Sequence, residues 1–333
     1  MSDGYAAKVV ADSISGAGVR LVTKEVTFPR FILPEFNTHR VFSRNSASSR
    51  AIPVIRQLSK VLAHPFVPAQ FGTDQPGMQA GGWLTGEQHE EAVEIWLSAR
   101  NSAVVHAAAL LLGRQHVSDF LKNPSLLDIE EERVRLLSIV DSYRSEVRDA
   151  LKNGQPHRYL NVHKQSANRL IEPFGWHTVL VTSTEWNNFW ALRDSEMAQP
   201  EIRTIARLAH KAFDYSVPDF LYEGQWHLPL IQPDEMHLAE ADPEKWRQIS
   251  AGRCARVSYE THNGVRDIEA DIALCHTLAS NGHMSPMEHV ATPDSHTNED
   301  GSQNWHGNFY GWKQWRKTFP HESNFGEVLA TLA

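Results

Sequence analysis

The strongest limit on the fold comes from two long helical runs. "TGEQHEEAVEIWLSARNSAVVHAAALLLGR", Thr85 to Arg114, brings Ala, Val and Leu back at helical spacing. Thr85, with the Glu and Gln that follow it, offers capping chemistry at the start. "LLDIEEERVRLLSIVDSYRSEVRDALKNG", Leu126 to Gly154, reads as a second helix ending on a glycine. Shorter helices are expected over Ala51–Phe66, with Pro53 in the first turn, and over His157–Phe174 up to Pro173. Further helical segments flank Pro200 between Thr184 and Ser216, and another covers Gly264–His283. Strand signals, rich in β-branched residues, lie at Val19–Phe36, Trp176–Thr184 and Arg253–Glu260, and "MEHVATP" to "FYGWKQWRKTF" mixes strand with aromatic loop. The expected fold class is therefore α+β: a mixed α/β chain dominated by long helices. No short-period repeat is present.

Charge and cysteine content narrow the function classes. A chain of 333 residues fits one large unit or two small ones. A net charge of -8 argues against nonspecific duplex binding, which depends on neutralising phosphates, so no nucleic-acid partner is expected. No run of about 18 apolar residues is evident, so no membrane span is expected. The first residues lack the basic and apolar regions of a secretory signal. Cys254 and Cys275 are the only cysteines, which points to a reducing, cytoplasmic setting and to packed thiols rather than nucleophiles.

Four stretches carry candidate chemistry. "NTHRVFSRNSASSR", Asn37 to Arg50, crowds three arginines among serines, as an anion cradle would. A solvated loop with paired arginines is the alternative. "NNFWALRDSEMAQPEI" sets Asn188 and Arg193 near Trp186, Phe189 and Trp190. Those rings either face a flat heterocycle or fill a core. "GHMSPMEH" crowds His283, Ser285, Glu288 and His289 after a helix. It is not HExxH, so no metal site is expected. "HKQSANRLIEP" puts Gln165 and Arg169 on one helical face. No P-loop, GxGxxG or GxSxG motif occurs.

Together these blocks resemble the flavin-dependent thymidylate synthases. The family signature, Arg-His-Arg, seven residues and a serine, stands here as Thr38, His39, Arg40 and Ser48, followed by Ser49 and Arg50. The block leading into Ala-Gln-x-Glu-Ile appears as Asn188, Arg193 and "AQPEI". The Ala-Arg-Val-Ser and Gly-His-x-Ser-Pro-x-Glu-His blocks appear as "CARVSY" and "GHMSPMEH". In the family these last two precede the signature; here they follow it, so the chain looks circularly permuted. "FYGWKQWRK" echoes the approach to the signature. The resemblance makes residues 1–333 a single catalytic unit, with a central antiparallel-rich sheet, a helical elaboration at 86–152 and a displaced block at 250–317.

The resemblance implies reductive methylation of dUMP to dTMP. Methylenetetrahydrofolate supplies the carbon, FAD carries hydride and NADPH reduces it. Ser48, Ser49, Arg50, Arg169 and Arg193 match nucleotide contacts, with Ser48 and Arg193 as the catalytic pair; Arg193 would balance charge developing on the pyrimidine. Thr38, His39, Arg40, Asn45, Asn188, Ser258, His283 and Ser285 match the flavin side. Glu35 stands where the family tends to have glutamine near the base, and Gln314 is the substitute for that role. A homotetramer with shared sites is implied. Two alternatives stay open: another product, such as a hydroxymethylated or dCMP-derived pyrimidine, and a noncatalytic nucleotide-binding homologue.

Overall fold

The computed structural model describes residues 4–261, 264–319 and 323–332. In chain order the elements are β1 (Ala6–Ser15), β2 (Arg20–Pro29), α1 (Leu33–Asn37), β3 (Ser43–Ser46), α2 (Val54–Ala63), α3 (Glu87–Leu112), α4 (Ser118–Lys122), α5 (Glu130–Lys152), α6 (Lys164–Ala167), β4 (Trp176–Ser183), α7 (Asn187–Arg193), α8 (Pro200–Asp214), β5 (Asp219–Leu221), α9 (Met236–Ala241), α10 (Pro243–Arg256), α11 (Ile268–Ser280), β6 (Ala291–Pro293), β7 (Trp305–His306), β8 (Phe309–Tyr310), β9 (Trp312–Gln314) and α12 (Phe325–Leu332). The fold is mixed α+β, as the helix-dominant sequence pattern predicts. The chain forms two compact units. Of the described residues, a helical unit comprises 4, 29–33 and 48–177, and a sheet unit comprises 5–28, 34–47 and those from 178 onward.

The helical unit is built on α2, α3 and α5. Along α2, Val54, Leu58, Val61 and Leu62 are buried, one apolar stripe at helical spacing. Along α5, Leu136, Val140, Tyr143 and Val147 do the same, while Glu130, Glu131 and Glu132 occupy the first turn, where the helix dipole favours acids. These stripes share a core with Val104, Val105, Ala108, Leu111 and Leu112 of α3 and with Phe120 and Leu127. Helix α3 is long and apolar enough to cross a membrane by length and composition, and half of that window is buried inside this core. Its N-cap is Gly86 rather than Thr85, and no side chain caps it. Residues 157–163 are not helical; the helical turns begin at Lys164, where the His163 side chain accepts from the Gln165 amide.

The sheet unit carries a five-stranded sheet in the order β3-β4-β2-β1-β5. β1 and β2 pair antiparallel from Ala6↔Thr27 to Ile14↔Arg20, with an irregularity between Val9 and Ala11. β3 and β4 are also antiparallel, and β5 joins β1 in parallel. β2 is buried along nearly its whole length, as a strand covered on both faces must be. Two small two-stranded pairs, β6 with β9 and β7 with β8, stand beside the sheet.

Two local expectations give way here. Arg253–Glu260 is not a strand: it completes α10 and continues as a 3₁₀ turn over Val257–Tyr259. The start signal lies upstream, where the Asp242 side chain accepts from the Lys245 amide and Pro243 takes the first position. An eight-residue window around one β-branched residue does not contain it. Residues 43–46 are not loop but strand. A short polar strand is stable there because β3 lies at the sheet edge, paired on one side to the apolar β4.

Helices α10 and α11 pack unusually close. A Cβ built on Gly252 would stand 2.1 Å from the Asp271 carbonyl oxygen, so only glycine fits. The approach lets Arg253 reach Asp271 at 3.1 Å while its other nitrogens hold Glu235 at 2.6 and 2.8 Å.

Candidate functional site

In the sheet unit, the segment from Thr38 to Ser46 is the meeting point of the motif blocks. Along β3, Ser43 and Asn45 are buried and Arg44 and Ser46 half-buried, the alternation of a pleated strand. Asn45 Nδ2 donates to the Cys254 carbonyl at 3.3 Å, reaching the "CARVSY" block more than 200 positions away. β3 packs against the Val257–Tyr259 turn, which holds Ser258, and against the 3₁₀ turn Ser285–Glu288 of "GHMSPMEH". Gln314 Nε2 donates to Ser43 Oγ at 3.1 Å and to Asn308 Oδ1 at 2.7 Å, and Asn308 Nδ2 donates to the Val41 carbonyl at 3.1 Å. Gln314 is therefore a buried tie between the C-terminal aromatic stretch and the signature segment.

His39 joins the second block. Arg193 Nε donates to His39 Nε2 at 3.0 Å, and Arg193 Nη2 donates to Thr38 Oγ1 at 3.0 Å. The threonine hydroxyl passes its own proton to the Glu35 carbonyl at 2.7 Å. A ring nitrogen that accepts from a guanidinium carries no proton, so His39 is neutral, with hydrogen on Nδ1. Burial lowers its pKa to about 4, and Arg193 and Arg44 add to the shift. The ring lies 5.6 Å from Phe42 in a stacked pair and 4.9 Å edge-on from Phe189.

Three guanidiniums thus border this segment. Burial pulls the Arg44 pKa below the ordinary arginine range, Glu288 opposes that and Arg40 adds to it. Glu288 is also ion-paired with Arg316. Arg40, Thr38, Asn188, His283 and Ser285 are exposed, and Ser258 is half-buried. Glu35 is half-buried, and its Oε2 is buried with no hydrogen-bond partner among the described residues. The sequence reading named Arg44 and Glu288 among its candidate stretches without giving either a role at the site, and it missed Asn308. Arg44 stood in the quoted stretch and Glu288 in the quoted motif; Asn308 carried no local signal.

The aromatic cluster is core, the second of its two readings. Trp186, Phe189 and Trp190 are buried; Trp186 stacks on Trp190 at 5.2 Å and Trp190 on His210 at 4.6 Å. Lys24 Nζ sits 3.6 Å from the Trp186 ring centroid. His289 is core as well. Its Nδ1 bonds to Thr182 Oγ1 at 2.7 Å, Thr182 to Thr23 at 2.6 Å, and Thr23 to His227 Nε2 at 2.8 Å. Both thiols are buried; burial raises the Cys254 pKa strongly and that of Cys275 to about 12, so neither is a thiolate near neutrality.

The remaining candidates lie in the helical unit. Ser48 O accepts from the Ala51 and Ile52 amides at 3.0 and 3.1 Å, a turn that leads into α2. Asn168 Nδ2 clamps this turn by donating to the Ser49 and Ile52 carbonyls at 2.8 and 3.0 Å. Arg169, its sequence neighbour, is exposed and paired with Glu172 at 3.0 Å, and Arg50 is exposed. Asn168, which the sequence reading did not name, ties the turn that carries Ser48, Ser49 and Arg50 to the segment that carries Arg169.

No family model, no curated protein and no solved structure matches this chain.

Proposed function

We propose that the chain is a flavin-dependent methylase that converts dUMP to dTMP, with methylenetetrahydrofolate as carbon donor and NADPH as reductant. The observation that supports this reading most is convergence. Three blocks dispersed from residue 38 to residue 289 meet within the sheet unit through Arg193 on His39, Asn45 on Cys254, and β3 on the 285–288 turn. That convergence is what a permuted catalytic chain requires, since permutation preserves a site only if the same elements still pack together.

The donor set suits an anionic dinucleotide. Arg40, Arg193, Thr38, Asn188, His283 and Ser285 supply guanidinium, hydroxyl, amide and imidazole groups, and Glu288, a carboxylate facing Arg44, is ion-paired with Arg316. These residues, with His39, Asn45 and Ser258, are the ones proposed to hold FAD, which when bound supplies the hydride. His39 stays neutral at working pH, so Arg193 keeps its charge directed away from a second cation. Arg193 is proposed to balance negative charge on the pyrimidine, with Ser48, Ser49, Arg50 and Arg169 proposed as phosphate and nucleotide contacts. Glu35 and Gln314 are the proposed base-side residues, Gln314 acting from its tie to Ser43. The proposed assembly is a homotetramer.

The test is anaerobic incubation of the protein with FAD, NADPH, methylenetetrahydrofolate and dUMP, with dCMP in a parallel reaction, followed by mass spectrometry of the nucleotide. A methyl group gained by dUMP is expected. A hydroxymethyl product, or reaction with dCMP alone, replaces the proposed reaction with base modification. Absence of any product in both tubes removes the enzymatic reading. Arg193→Ala is expected to abolish turnover while FAD absorbance is largely retained after gel filtration.

A further inference from the structure

The helical unit holds an open cavity of ≈ 360 Å³. Its wall combines Val54 and Ile55 of α2, Tyr143 and Arg144 of α5, and Asn161 and Lys164 from the segment before β4. Among the described residues no Asp or Glu lines it. In a chain of net charge -8, two cations facing one space without a carboxylate are a signal of their own.

The cations are available to a ligand. Arg144 makes no hydrogen bond or ion pair among the described residues. Lys164 Nζ spends one donor on the Ala51 carbonyl at 2.8 Å and meets no carboxylate among the described residues. Asn161 is held with φ 53, a left-handed conformation that a non-glycine residue keeps only when its surroundings impose it. The imposing contacts are its amide on the Leu111 carbonyl at 2.8 Å and its Oδ1 accepting from Tyr143 Oη at 2.6 Å. That arrangement commits the amide oxygen, while Nδ2 makes one long contact to His157 Nε2 at 3.5 Å and keeps its second donor. No side chain caps α2, so the positive end of its dipole adds to the same wall.

We propose that this cavity binds a small organic anion, a phosphate or carboxylate on a compact apolar body, with Arg144 and Lys164 on the anion and Val54 and Ile55 against the body. A concave site with an apolar wall and few convergent polar groups is the usual form of a small-molecule site. Arg144 and Tyr143 belong to α5, outside every motif block, whereas Lys164 lies in the 163–173 stretch, so Arg144 is the residue that separates this site from the nucleotide reading.

The experiment is calorimetric titration of the full chain with phenyl phosphate, benzoate and, as a neutral control, benzyl alcohol. Saturable binding of one or both anions is expected, weakened at least tenfold in Arg144→Glu and unchanged in Arg50→Ala. Arg144→Glu should keep the wild-type urea midpoint, since Arg144 makes no structural bond; Arg144→Gln serves as the milder variant. The ratio of the two anion affinities identifies the headgroup. The proposal is overturned by absence of saturable binding up to about 10 mM, by benzyl alcohol binding as tightly as the anions, or by binding that Arg50→Ala removes and Arg144→Glu leaves intact.

Discussion

Two regions of the sheet unit bury a cation by opposite means. At the α10–α11 contact, Arg253 is enclosed by carboxylates. Glu235 takes two of its nitrogens, Asp271 takes Nε, and the Leu230 carbonyl accepts at 3.1 Å. Asp271, itself fully buried, is shared with Arg256. In the sheet, Lys24 is fully buried with no hydrogen bond on Nζ among the described residues and lies over the rings of Trp186, Trp190 and Phe213 at 3.6, 4.3 and 4.8 Å. The difference follows from the two side chains. A guanidinium is planar and satisfied by a fork of carboxylate oxygens, and it keeps its charge. An ammonium loses its charge when stripped of water. Burial pushes the Lys24 pKa well below the ordinary lysine range, Arg20 adds to that, and Asp12 and Asp214 oppose it. The first region holds its charge by pairing; the second holds an amine whose charge state depends on pH.

The contrast can be broken most forcefully at Asp271. Asp271→Ala strands Arg253 and Arg256 and should cost about 3–5 kcal/mol, read from the urea midpoint. A loss under about 1 kcal/mol would mean the pair is merely tolerated. Next comes acid. Burial lowers the pKa of both His227 and His289 to about 3, so in the folded chain they stay neutral while their unfolded counterparts protonate near 6.5. The unfolded state then binds more protons, and stability present above pH 6.5 is lost as pH falls toward 3. Between pH 7.5 and 5 each histidine should remove about 2 kcal/mol, visible as a falling Tm; a flat Tm over that range would contradict their neutral burial.

Gly252→Ala is a smaller perturbation of the first region. Its methyl would meet the Asp271 carbonyl, and separating the helices should cost about 1–3 kcal/mol. Unchanged stability would show that α10 and α11 can slide apart freely. The second region is expected to respond with the opposite sign. Lys24→Met replaces a buried amine that must give up its proton on folding with an apolar chain of similar length, so the variant should be more stable than wild type at neutral pH, read from the urea midpoint. The same variant sharpens the comparison through pH. Wild type should gain stability as pH rises toward 10, because the unfolded lysine binds a proton the folded one has lost, and Lys24→Met should lose that gain. A parallel rise in both proteins would place the titration elsewhere.

Much of the architecture was legible because helices and half-buried strands write their periods locally. The stripes Val54, Leu58, Val61 and Leu62, and Leu136, Val140 and Val147, are visible in the bare sequence. So were the strand Trp176–Ser183 and the helices on either side of Pro200. β1 was not, since "AAKVVADSIS" draws its stability from pairing with β2 along its length rather than from its own residues. Arg253–Glu260 misled because a strand-like composition sat inside a helix whose cap lay eleven residues upstream of Arg253.

Of the candidate site, the sequence by itself determined the inventory: a signature segment rich in arginine and serine, two histidine-bearing blocks, and two cysteines unsuited to attack. It also determined, through the signs of its charges and its periodicities, a helix-dominant α+β chain. Only the tertiary structure decided partners. It set Arg193 on His39, Asn45 on Cys254 and Gln314 on Ser43, turned the tryptophans inward around Lys24, and gathered Arg144 and Lys164 around one cavity. The physical reason is range. Propensity and capping act within a turn or two of the chain, whereas burial, hydrogen-bond pairing and desolvation act between residues that the fold alone brings together.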